Sequence, residues 1–192
     1  MSRDFLRGGQ IIFMKTFLRL GLITLCSFAL VNAADTATPQ QKLAALGLTL
    51  PSVPAAIANY VPAVRSGNLV FLAGQIARGP DGKFLAGKVG RELSEAQGAD
   101  VARMCALQLI AVLKAEVGDL ARVKRIVKVT GFVNCTDEFT AQPKVINGAS
   151  DLFVAVFGEK GRHARAAVGV SALPAGAPVE IELVAELEPA TP

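Results

Sequence analysis

Hydrophobic residues recur along this chain with two periods, and the switches between them mark out its elements. Tyr60–Arg65 and Leu69–Ala73 alternate across the break Ser66-Gly67-Asn68, as the strands of a hairpin do. Gly74-Gln75 then leads into a loop that turns at Gly79-Pro80-Asp81-Gly82. From Ser94 the period lengthens. Val101, Met104, Cys105, Leu109 and Val112 fall on one helical face, interrupted by Gln108, and Ser94-Glu95-Ala96-Gln97 has the form of a capping box. Gly118 marks the end of that helix. Lys124–Asn134 is rich in β-branched residues and predicts a third strand. Phe139–Phe157 predicts a second helix, with Pro143 near its first turn and Gly158 beyond its end. Two last strands, Ala164–Ala172 and Val179–Leu187, flank the turn Leu173-Pro174-Ala175-Gly176-Ala177-Pro178.

The order β-β-α-β-α-β-β predicts an α+β domain in which two helices cover one face of a mixed sheet. Upstream, Gln41–Leu48 predicts a short helix ended by Pro51-Ser52-Val53-Pro54. Strict alternation puts Arg165, Ala167 and Gly169 on one side of their strand, with Ala166, Val168 and Val170 on the other. In the last strand Val179, Ile181, Leu183, Ala185 and Leu187 oppose Glu180, Glu182 and Glu186. The expectation is that the uncovered face carries Arg165, Ala167, Gly169 and the glutamates. Its small residues would then admit close approach by a ligand or by another subunit. A guanidinium with clearance in front of it and a carboxylate nearby suits a small carboxylic acid. The same pattern also fits an arginine paired with a solvated acidic strand face.

The N-terminal part changes how the charge is read. Lys15-Thr16-Phe17-Leu18-Arg19, the apolar run Leu20–Val31 and Val31-Asn32-Ala33 have the plan of a secretory signal, with Met14 the expected start and cleavage expected after Ala33. The apolar run is too short to span a bilayer. The expected organisation is a signal at 1–33, a linker and short helix at 34–53, one domain at 54–188 and a tail at 189–192. The formal net charge of +4 resides mostly in the leader. Four of the 20 basic and one of the 16 acidic residues lie in 1–33, leaving 16 against 15. A near-neutral domain argues against a general electrostatic grip on nucleic acid or on an anionic membrane after signal cleavage. A secreted or periplasmic location permits a disulfide between Cys105 and Cys135, but their settings favour two packed thiols. Asn134-Cys135-Thr136 is a glycosylation sequon.

Missing motifs exclude several chemistries. His163 is the single histidine, and neither H-E-x-x-H nor paired C-x-x-C occurs, which argues against a catalytic metal. Gly169-Val170-Ser171-Ala172-Leu173 fails as a nucleophile elbow at its last position. No phosphate-cradling glycine loop is present.

Two separated motifs resemble the RidA/YjgF family. Ile57-Ala58-Asn59-Tyr60-Val61-Pro62-Ala63-Val64 with Gly67-Asn68-Leu69-Val70-Phe71-Leu72-Ala73-Gly74-Gln75-Ile76 is similar to the family's opening. Ala164-Arg165-Ala166-Ala167-Val168-Gly169-Val170 and Leu173-Pro174 through Val179-Glu180-Ile181-Glu182 are similar to its closing signature. The resemblance implies a chorismate-mutase-like fold and a homotrimer with ligand sites in clefts between subunits. It implies hydrolysis of reactive enamines or imines such as 2-aminoacrylate to 2-keto acids and ammonia, without cofactor or metal. Residue by residue, Arg165 matches the arginine that holds the substrate carboxylate and Glu180 the glutamate that positions or activates water. Tyr60 matches a tyrosine beside the ligand from an adjoining subunit. Ala167 stands at a cysteine position whose main chain contacts ligand. Ala73 stands where deaminase members commonly carry serine, which removes a hydroxyl from the site. Two other readings stay open beside a deaminase: a non-catalytic binder of small carboxylates and an endoribonuclease.

Overall fold

The capping box at Ser94 closes as its sequence predicts. Gln97 N donates to Ser94 Oγ at 3.2 Å and Ser94 N donates to Gln97 Oε1 at 2.9 Å. In this computed structural model residues 37–53 and 59–189 are described. The signal read at 1–33 and its cleavage position lie outside the described residues, as do Ile57 and Ala58 of the family-like opening.

Eight main elements follow in order: α1 (Pro39–Ala45), β1 (Ala63–Ser66), β2 (Leu69–Ile76), α2 (Glu95–Val117), β3 (Val123–Asn134), α3 (Gln142–Phe157), β4 (Ala164–Val170) and β5 (Val179–Leu187). α1 begins two residues before the expected start and ends before Leu48. Thr38 caps it through a second reciprocal box with Gln41, and Pro39 occupies the first turn, where its missing N–H leaves no bond unmade. The linker expected through Gln40 is therefore already helical at Pro39 and Gln40.

The sheet order is β1-β2-β5-β3-β4. β3 and β4 are parallel, joined by α3 as the crossover that a parallel pair requires, and the other pairs are antiparallel. α2 and α3 pack over one face. Leu109, Ile126, Ile146, Phe153, Ile181 and Leu187 are fully buried between the layers. The fold is thus α+β with a mixed sheet, and α1 is a third helix beside the two that were expected over it.

Cross-strand register decides which side chains share a face. Leu72, Leu183, Val129 and Arg165 form one row, and the first three of them are buried under the helices. Glu180, Phe132 and Val168 form a row on the opposite face. This corrects the expectation that Arg165, Ala167, Gly169 and the glutamates share the uncovered face. The arginine side of β4 faces the helix layer, and the glutamate side of β5 faces away from it. Gly169 is small because a Cβ there would meet Gln142 Nε2 at 2.8 Å and Cys135 Sγ at 2.9 Å. Its size serves packing within the chain. The uncovered face instead presents Val64 at 53%, Phe71 at 44% and Val168 at 43% exposure.

Cys105 and Cys135 are both buried and free. Cys105 Sγ donates to Val179 O at 3.6 Å, and burial pushes its thiol up to about 12. The sequon asparagine is 4% exposed. Asn134 Nδ2 donates to Ala177 O at 3.1 Å, and Lys88 Nζ donates to Asn134 Oδ1 at 2.7 Å. Asn134 is therefore a structural amide in the folded chain, closed to a glycan.

Candidate functional site

The first half of the site grows from an irregularity in β2. β2 pairs regularly with β5 from Leu69 to Leu72, then slips register before Gln75. Such a bulge turns the strand and re-aims what lies beside it. Ala73 N donates to Pro62 O at 2.9 Å, and Gln75 Nε2 donates back to Ala73 O at 3.2 Å. Gly74, inside the bulge, leaves space that the Glu180 carboxylate fills: a Cβ there would overlap Glu180 Oε1. A side chain at this position would have to push the Glu180 carboxylate aside.

Beside the bulge lies a cleft of about 610 Å³. Tyr60, Gly74, Gln75 and Glu180 line it, and it extends past the bulge to Met104 and Gln108 of α2. Tyr60 is half exposed. Gln108, the polar interruption in the helical stripe, donates to Ser52 O at 3.3 Å and so ties α2 to the preceding segment. Glu180 makes no hydrogen bond or ion pair among the described residues. Burial first, then repulsion from Glu182, holds its carboxyl above the usual 4.5. A carboxyl in that setting can accept and return a proton nearer neutrality than an exposed one. Arg78 also lines the cleft, its guanidinium 3.6 Å above the Phe84 ring and its Nη1 donating to Gly82 O at 2.8 Å.

The second half of the site is on β4. Arg165 Nη1 donates to Asn147 Oδ1 at 2.8 Å and to Ser150 Oγ at 3.0 Å, both on α3. Ser150 Oγ lies 3.1 Å from His163 Nε2, and His163 Nδ1 lies 2.7 Å from Gly161 O. Burial first, aided by the Arg165 charge, holds the imidazole below its usual 6.5, against the opposing pull of the Gly161 carbonyl. Arg165 is exposed, and Ala167 beside it is half-buried against the core.

The chain therefore brings Tyr60 and Glu180 together, with Ala73 at the edge of their bulge, and places Arg165 and Ala167 across the sheet. Asn147, Ser150 and Arg78 were not read as site residues. Asn147 and Ser150 lie three apart on the polar side of α3, which is the one trace of them in the sequence pattern. Among the described residues no cluster of His, Cys, Asp or Glu could hold a metal ion.

Known proteins share this arrangement of elements. The profile of the family described as "YjgF/chorismate mutase-like, putative endoribonuclease" matches residues 40–187. Protein TCP17 of Trypanosoma cruzi is 48% identical over 143 residues, which is 74% of this chain and 89% of that protein. A protein of unknown function from Agrobacterium tumefaciens is 43% identical, with a TM-score of 0.71 over 78% of this chain and 92% of its own. The crystal structure of "a putative endoribonuclease" from Shewanella oneidensis MR-1 is 36% identical, with a TM-score of 0.76 over 79% of this chain and 100% of its own. The domain has the YjgF/chorismate-mutase-like α+β fold. The chain belongs to the YjgF/RidA family.

Proposed function

We propose that this chain hydrolyses small reactive enamines and imines to 2-keto acids and ammonia, at clefts completed by a second copy of itself in a homotrimer. The observation that carries the reading is Glu180: a half-buried carboxyl without a cationic partner among the described residues, set in a cleft beside Tyr60 and the Gly74 bulge. An imine carbon is already electrophilic, so a catalyst need only hold the substrate, place water and move a proton. Arg165 holds the substrate carboxylate by a charge-assisted contact of roughly 1.5–3 kcal/mol. Glu180 directs water onto the carbon and passes a proton to the departing nitrogen, an effect of about 10²–10⁴-fold. Water adds to C=N, the C–N bond breaks, and ammonia leaves with the proton. Neither metal nor organic cofactor is required.

The uncovered sheet face supports the assembly, because Val64, Phe71 and Val168 offer apolar surface on which another copy can seat. Export by the leader at 1–33 is part of the same proposal. The test is keto-acid release from 2-aminoacrylate generated in the assay, compared for wild type and Arg165→Ala. Accelerated release that disappears in the variant supports the reading; equal rates in both refute it.

Ala73 favours a second reading, a non-catalytic binder of small carboxylates. A serine hydroxyl is missing at that position, and binding would persist without turnover. Saturable pyruvate binding with no acceleration of imine hydrolysis selects this alternative. Endoribonuclease activity is the weakest reading, because the near-neutral charge of the domain gives no general electrostatic grip on RNA. RNA cleavage that survives rigorous nuclease removal would restore it.

A further inference from the structure

The hydrogen bonds behind Arg165 specify more than its location. A guanidinium carries five N–H groups, two of them on Nη1. Asn147 Oδ1 at 2.8 Å and Ser150 Oγ at 3.0 Å take both Nη1 hydrogens. The edge formed by Nε and Nη2 is left for an incoming anion, and it matches a carboxylate through two parallel bonds. Ser150 can hold this position only if its own proton goes elsewhere. Gly161 O can only accept, so the short contact at 2.7 Å places the hydrogen of the neutral imidazole on Nδ1. His163 Nε2 then accepts from the Ser150 hydroxyl at 3.1 Å. The chain of bonds runs from Arg165 to Ser150 to His163 to Gly161 with every donor directed one way.

We infer that Ser150 and His163 form a positioning relay behind Arg165, which fixes the edge it offers to a carboxylate and couples capture of that anion to proton uptake by the imidazole. The inference rests on the reading of Arg165 as the carboxylate anchor. The surroundings of His163 make the coupling specific. From α3 the ring meets Ser150 and, edge to face at 5.8 Å, Phe153; from the turn Gly158–Gly161 it meets a carbonyl; from β4 comes Arg165, the charged group that acts on it. An anion seated on Arg165 offsets that charge, so His163 takes up a proton on Nε2 more readily in the complex than in the free protein; the Ser150 contact then reverses, the imidazolium donating to Oγ, whose second lone pair still accepts from Arg165 Nη1. By linkage, affinity for the anion rises as pH falls below the usual imidazole value of 6.5.

The experiment titrates pyruvate into the full assembled protein and follows binding by calorimetry from about pH 7.5 to about pH 5.5. Wild type, Arg165→Ala, Ser150→Ala, Ser150→Thr and His163→Gln are compared, with circular dichroism confirming the fold of each. The expected wild-type result is an affinity about threefold higher at the acid end. Ser150→Ala should bind about tenfold more weakly, and Ser150→Thr, which keeps the hydroxyl, should restore binding. His163→Gln offers Ser150 an acceptor that does not titrate, so it should keep the neutral-pH affinity and lose the rise. Should Arg165→Ala abolish binding while Ser150→Ala and His163→Gln match wild type at every pH, the relay is refuted and the anchor stands. Should Arg165→Ala bind pyruvate like wild type, the anchor reading itself fails, and the relay with it.

Discussion

Arg165 and Glu180 stand on opposite faces of one sheet, with β3 between their strands. Adjacent strands lie about 4.8 Å apart, so β4 and β5 are separated by roughly 10 Å before the difference in face is added. With the two side chains directed to opposite faces, a single chain does not offer both to one 2-keto acid. The two groups can serve one substrate only if different copies supply them, which is what the proposed homotrimer would provide.

Gly74 sets where the Glu180 carboxylate lies, since a Cβ at that position would overlap Oε1. Gly74→Ala should displace the carboxylate and leave the core intact. Displacements of this kind can lower rates about 10²-fold. The check is kcat for keto-acid release, with a thermal melt showing that the fold persists.

Glu180 provides a prediction with a defined sign. Its folded carboxyl is raised above 4.5 by burial and by Glu182, so ionising it opposes folding. The stability associated with the protonated form is fully present below the unfolded value and is lost as pH rises through the raised folded value. Glu180→Gln should therefore melt higher than wild type at neutral pH, with the gap closing under acid. Glu182→Gln should move the acid limb of the rate profile to lower pH, because a repelling charge has been removed. Melting curves and pH–rate profiles check the two halves separately.

The helix stops and the hairpin were legible because their signals are local. Ser94 with Gln97, Gly118 and the break at Gly67 each act within a few residues. The facing of β4 was not legible. Both sides of that strand alternate small or apolar residues, and Val168 and Val170 look the more inward pair. The outcome is set by partners distant in sequence: Gln142 and Cys135 fill the space over Gly169, and α3 presents Asn147 and Ser150 to the guanidinium. Thr38 with Gln41 was a readable cap whose proline at the first helical position hid the true start of α1. Tyr60 and Glu180 were placed by resemblance, and only the register slip in β2 explains how a cleft forms between them.

Asn134 illustrates a sequence motif overridden by burial. Its amide bridges Lys88 and the Ala177 carbonyl, so Asn134→Ala should strand that buried carbonyl, while Lys88 Nζ keeps the Ser171 and Cys135 carbonyls. The expected loss is about 1–3 kcal/mol, measured by denaturant unfolding. A glycosylating host should add no glycan to protein that has already folded, as an intact-mass measurement would show.

Cys105 and Cys135 should both resist a thiol reagent in the native protein and react once it is denatured. Burial removes access to each, and Cys105 at about 12 has almost no thiolate at neutral pH. A timed reaction with a chromogenic disulfide, with and without guanidinium, reads this directly.

Mixing two inactive variants tests the shared cleft most directly. Arg165→Ala and Glu180→Ala, each assembled alone, should show no accelerated keto-acid release. Unfolded together and reassembled at equal amounts, they should recover activity at about one site in four, because some clefts then draw an intact arginine from one copy and an intact glutamate from the other. Mixed assemblies that form and remain as inactive as either parent would contradict the account.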